Sequence, residues 1–96
     1  MQSERCETVK EVKFQVDKEV AAGRYANMAV IGHSETEFFL DFVLALPRQT
    51  PSVVSRIITN PKHAKALLRS LEENIRRYEA RHGEIALPVR PPTEHN

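Results

Sequence analysis

Val12, Phe14 and Val16 alternate with Lys13, Gln15 and Asp17. That period of two marks a half-buried strand. Ala21-Ala22-Gly23 then offers a place to turn. Arg24 to His33 and Glu37 to Leu46 read as a second and a third strand, parted by polar Ser34-Glu35-Thr36. Pro47 ends the third, and Pro47 to Ser52 forms a loop. Val53 to Ile58 is rich in β-branched residues and predicts a short fourth strand.

The period then changes. Asn60 is placed as an N-cap, and Pro61 takes the first helical position, where a missing donor costs nothing. Ala64, Leu67, Leu68, Leu71, Ile75 and Tyr78 recur at three- and four-residue steps and form one apolar stripe. Glu72–Arg76 and Glu73–Arg77 are acid-before-base pairs at i, i+4. Arg81 and His82 suit the negative end of the helix dipole, and Gly83 suits the residue past it. These features predict one long amphipathic helix over 61–82. The expected fold is therefore α+β, an antiparallel sheet of about four strands followed by one C-terminal helix (ββββα) packed across one of its faces.

A hairpin with Glu35-Thr36 at its tip sets the register of strands two and three. Ile31 then faces Leu40, Ala29 faces Phe42, Asn27 faces Leu44 and Tyr25 faces Leu46. That is one apolar face, matched to the helix stripe. The other face carries Ala26, Met28, Val30, Phe39, Val43 and Ala45, with Asp41 its one charge. A sheet with one wet face should alternate apolar and polar residues, and this one does not. Burying the larger side chains contributes roughly 1.5–3 kcal/mol each, and leaving them together in water promotes association. The expectation is a second copy on the face of Met28, Val30, Phe39 and Val43, giving a homo-oligomer, a dimer in the simplest case. The competing expectation is that Ile85-Leu87-Val89 or a terminal tail folds over that face.

Composition narrows the function. The chain has 96 residues, 41% hydrophobic and 28% charged, which suits one globular domain. Residues 1–9 read as a polar, disordered N-terminal tail, 10–85 as the single domain and 86–96 as a proline-rich tail. A net charge of +1 gives no overall field toward nucleic acid or an anionic membrane. A lone Cys6 excludes an intramolecular disulfide and, with no apolar leader or membrane-length run, suggests a cytoplasmic protein.

Candidate chemistry is sparse. His33, His63, His82 and His95 lack the short spacing of a metal site, and Cys6 has no base near it in sequence, so no metal, cofactor or catalytic residue is expected. Asp41 interrupts an apolar strand opposite Val30, and Arg56 is isolated among Val54, Ile57 and Ile58. The two are candidates for a buried ion pair, the commoner fate of such residues than catalysis. Gly23, Gly32 and Gly83 fall at turns or ends and form no phosphate loop. Lys62, Lys65, Arg69 and Arg76 share a helix and could contact phosphates, but Glu72, Glu73 and Glu79 interleave the basic positions and weaken that reading. Pro88-Val89-Arg90-Pro91 is a weak match to a groove-binding extended segment.

Gly23-Arg24-Tyr25-Ala26-Asn27, Gly32-His33-Ser34, Glu37-Phe38 and Leu40-Asp41-Phe42 make a distinctive run. Val53-Val54-Ser55-Arg56-Ile57, Pro61-Lys62-His63-Ala64-Lys65, Leu71-Glu72-Glu73-Asn74-Ile75 and Tyr78-Glu79 continue it. Together they resemble the family catalogued as domain of unknown function 3467, from about Phe14 to Ile85. The resemblance implies a small bacterial or archaeal cytosolic protein with no established activity, and it carries no functional residue over.

The leading expectation is a non-enzymatic, self-associating interaction module that offers apolar surface to other proteins. At the level of fold it resembles the SecB-type export chaperones, which also join an antiparallel sheet to C-terminal helices. The runner-up is a nucleic-acid-binding accessory protein using the basic side of the helix. A third reading brings Asp41, His33 and Arg56 to a cleft between subunits.

Overall fold

The computed structural model describes residues 8–9 and 12–88. The chain divides into two compact units, one ending at Thr59 and the other beginning at Asn60, and each is described by itself.

In the first unit, β1 (Thr8–Val9) pairs antiparallel with β2 (Val12–Lys13). After an irregular stretch comes α1 (Lys18–Ala22), then β3 (Met28–His33), β4 (Phe38–Leu44) and β5 (Ser52–Thr59). The last three form an antiparallel sheet in the order β3-β4-β5. In the second unit, α2 spans Pro61–His82.

The sheet has three strands where about four were expected. The alternating segment Val12 to Val16 does not join it. Only Val12 and Lys13 are strand, paired with Thr8 and Val9, and Phe14–Asp17 is irregular. The physical reason lies just downstream. Lys18-Glu19-Val20-Ala21-Ala22 contains good helix formers, Asp17 sits extended at the N-cap position, and Gly23 ends the turn at φ 79°. Where a turn was expected, the chain makes a short helix. Of the expected tails, residues 1–7 and 89–96 lie outside the described residues, and with them Cys6, His95 and the Val89-Arg90-Pro91 part of the proline motif.

The hairpin register agrees with the sequence reading where the ladder runs. Ile31 faces Leu40, Ala29 faces Phe42 and Val30 faces Asp41. At the tip, the Ser34 amide donates to the Glu37 carbonyl at 2.8 Å, and Ser34 Oγ accepts from the amides of Thr36 and Glu37. The hydroxyl thus satisfies two turn amides. At the other end the ladder stops at Met28, four residues short of Arg24. Asn27 replaces the missing rungs with its side chain: its amide nitrogen donates to the Ala45 carbonyl and its amide oxygen accepts from the Ala45 amide, both at 2.9 Å. A side-chain carboxamide has the donor and acceptor of a peptide group, so it extends the pairing where the backbone departs.

On the other side of β4, Phe42 faces Ser55 while Val43 faces Val53. Val54 is the extra residue of a β-bulge, which twists the strand and leaves its backbone outside the regular ladder. Arg24 Nη1 donates to the Val54 carbonyl at 3.2 Å and so supplies a partner there. The loop before β5 turns on Pro47 and Arg48, with Arg48 at φ 61° and the Gln49 amide donating to the Leu46 carbonyl.

The helix starts and stops at the expected residues. Asn60 accepts from the His63 amide at 2.7 Å, with Pro61 behind it. Gly83, at φ 100°, donates to the Glu79 carbonyl, and Glu79 Oε2 accepts from the Ile85 amide. Glu73 and Arg77 form an i, i+4 ion pair at 3.1 Å.

Candidate association surface

Residues opposed across an antiparallel pair point to the same side, so the register assigns the two faces. One face carries Ala29, Ile31 and His33 from β3, Phe38, Leu40 and Phe42 from β4, and Ser55, Ile57 and Thr59 from β5. The other carries Met28, Val30 and Gly32, then Phe39, Asp41 and Val43, then Val53, Arg56 and Ile58. Both faces are largely apolar.

Within the first unit, very little of this apolar surface is covered. Among the described residues only Leu40 and Val43 are buried, one on each face of the central strand. Ile31 and Ile57 are exposed on the first face; Met28, Val30, Val53 and Ile58 on the second. Within the expected association face, Phe39 is half-buried and Val43 buried, because β3 and β5 flank the central strand. In α2, taken alone, Leu67, Leu68, Leu71, Ile75 and Tyr78 are exposed and no residue is buried. Over the first face, Glu19 and Val20 of α1 and Arg24 line an open groove with Phe42, Val54 and Ile57.

Asp41 and Arg56 are directly opposed across β4 and β5. Arg56 Nε donates to Asp41 Oδ1 at 2.7 Å and Nη2 to Oδ2 at 2.8 Å, the parallel two-bond fork that guanidinium and carboxylate favour. The sequence predicts a buried pair; in the single chain it is not buried. The Asp41 side chain keeps 17% of its exposure and Arg56 keeps 62%, so water still screens the pair. The hydrogen bonds and charge of Arg56 hold the Asp41 carboxyl below the ordinary value near 3.8, against a smaller opposing effect of desolvation. Reciprocally, Asp41 raises the Arg56 pKa.

A group with a depressed folded pKa stabilises the fold above its unfolded value and loses that contribution as pH falls through the folded one. The advantage of wild type over Arg56→Gln should therefore be complete near neutrality and shrink as pH falls below about 3.8. Urea denaturation at stepped pH measures it. An advantage that stays constant down through that window would show that the pair contributes nothing by charge.

His33 stacks on Phe38 across β3 and β4, with ring centroids 5.3 Å apart. It lies on the face opposite to Asp41 and Arg56. One subunit therefore does not bring these three residues together, and both Asp41 oxygens are already bonded. Among the described residues no group of three or more histidines, cysteines, aspartates and glutamates could hold a metal ion. On α2, Lys62, Lys65, Arg69 and Arg76 are exposed, with acidic neighbours on the same helix and Arg77 tied to Glu73. Among the described residues no helix is long and apolar enough to cross a membrane.

Sequence reasoning missed Asn27, Arg24 and the bulge at Val54. A lone asparagine in an apolar strand was the available signal for the first. For the bulge there was none, since Val53-Val54 reads as unbroken strand.

Neither the proteins with curated descriptions nor the solved structures include a match to this chain. A family model does match, over residues 1–87, a span that takes in every described strand and both helices. The chain belongs to the family described as protein of unknown function, DUF3467.

Proposed function

We propose that this protein is a non-enzymatic, self-associating interaction module whose sheet faces form the contact surface between copies. The observation that carries the reading is exposed apolar surface on both faces of one three-stranded sheet, with only Leu40 and Val43 buried among the described residues. A three-stranded sheet with a hydrophobic face can hold together alone, but with two apolar faces open to water it leaves most of its hydrophobic free energy unrealised. Association covers it and gains the hydrophobic free energy that the single chain leaves unused. The face bearing Met28, Val30, Phe39 and Val43 is the favoured contact because Glu19, Val20 and Arg24 lie along the groove over the other one, and its own charged pair is internally satisfied, Asp41 being held by Arg56. A symmetric dimer is the simplest assembly. Any apolar surface left over is what the module offers to other proteins, in the manner of a chaperone.

Thermal melting tests this reading. A folded oligomer melts at a temperature that rises with protein concentration, because association is part of its stability. We expect a rise across a hundredfold change in concentration. A midpoint independent of concentration would overturn the reading. Nucleic-acid binding through the exposed Lys62, Lys65, Arg69 and Arg76 is the alternative. It predicts salt-dependent retention of mixed-sequence DNA or RNA, whereas the association reading predicts none even at low salt.

A further inference from the structure

The sheet has two outer edges, and they are built differently. β5, on one side, carries a bulge at Val54, an arginine on that residue's carbonyl and a second arginine, Arg56, near its midpoint. Bulges, charges and covering side chains are the devices that keep an edge strand from pairing with another chain. Were β5 to pair with itself across a two-fold axis, Arg56 would also lie close to its own copy. β3, on the other side, has none of these devices. Met28-Ala29-Val30-Ile31-Gly32-His33 contains no proline, no bulge and no lysine, arginine or carboxylate, and every residue is exposed. Among the described residues no strand pairs with its outer edge. Yet half of the backbone donors and acceptors along such a strand point outward.

We propose that β3 is the seam of the assembly: β3 of one copy pairs antiparallel with β3 of a second copy, joining two three-stranded sheets into one of six strands. The proposal rests on the self-association reading and adds a second, edge contact to its face contact: the six-stranded sheet still presents its apolar faces to further copies, so the two contacts together build an assembly larger than a dimer. No like charges oppose each other in this pairing, and it places Met28 and Val30 of both copies on one continuous apolar surface. Gly32 adds no side chain at the junction.

Symmetry sharpens the expectation. A two-fold axis normal to the sheet keeps each face on its own side, and directly opposed residues share a face. One residue of β3 must therefore face its own copy. Its neighbours lie two residues out of step, roughly 8 Å from their copies by strand rise and spacing, beyond the roughly 7 Å Cα limit for a disulfide. Stacked sheet faces, about 10 Å apart, are also too distant.

Single cysteines at each β3 position, Met28, Ala29, Val30, Ile31, Gly32 and His33, each in a Cys6→Ser background, test the seam. A Cβ at Gly32 meets nothing within 4 Å, so that variant is sterically free. Under mild oxidation one position should give covalent dimer in high yield, with at least a tenfold drop at the positions beside it. An oligomer by light scattering with no such peak would overturn the seam while leaving self-association intact; the faces alone, or the chain's own N-terminal segment on the β3 edge, would then be responsible. A monomer in every variant and in wild type would overturn both.

Discussion

Replacing Val30 by lysine is expected to hold the protein at the mass of one 11.0 kDa chain at low micromolar concentration. Val30 is 55% exposed in the single chain and lies directly opposite Asp41. A lysine there keeps its ammonium in water with a carboxylate within reach, so the subunit loses little. In the proposed assembly the same position is dehydrated by the face contact; pairing of β3 edges alone would leave its side chain on an open face. Stripping water from an ion costs several kcal/mol even after relaxation, and a two-fold contact incurs the cost twice. The dissociation constant should weaken by about a thousandfold or more, equivalent to about 4 kcal/mol. Light scattering together with far-ultraviolet circular dichroism checks both halves. An unchanged oligomer would show that Val30 is not in the contact.

The second large effect is on folding itself. Leu40 sits in the central strand between Ile31 and Ile57, is 9% exposed, and is one of only two buried residues described. Leu40→Ala should cost about 2–5 kcal/mol, the range for deleting a buried leucine side chain. A domain this size has roughly 5–15 kcal/mol in all, and a sheet with so little buried belongs at the low end. The variant should therefore lose much of its cooperative transition. Ile31→Ala, on the same face but exposed, should cost far less in the dissociated Val30→Lys background. Urea denaturation in that background separates the two. Equal losses would mean that Ile31 is covered within the single subunit, and the first face would then be closed without a second copy.

Much of this was legible in the residues, for reasons that can be named. The polar Ser34-Glu35-Thr36 tip leaves a single register that keeps apolar side chains together, so the Ile31–Leu40 pairing followed. Asn60-Pro61 and Gly83 each have one favourable use in a helix, and α2 begins and ends between them. The Asp41–Arg56 contact was a candidate because two isolated charges in apolar strands need partners. Its exposure was not legible, since burial depends on what covers the sheet and not on the strand. The missing strand shows a different limit. Val12, Phe14 and Val16 have the right period, but five residues cannot show whether a sheet edge will receive them, and strong helix formers follow immediately. Likewise the bulge at Val54 is a property of pairing, invisible in a run of β-branched residues. The apolar second face was legible on β3 and β4, where Met28, Val30, Phe39 and Val43 share it, but not on β5, whose Val53 is placed there by the bulge; it remains the main ground for the proposed function.

Light scattering on eluting wild-type protein, over a hundredfold range of concentration, tests that claim most directly. A stable multiple of 11.0 kDa is the predicted result. A monomer that persists to high micromolar concentration would contradict it, and the exposed faces of the sheet would then need a cover from the chain's own residues.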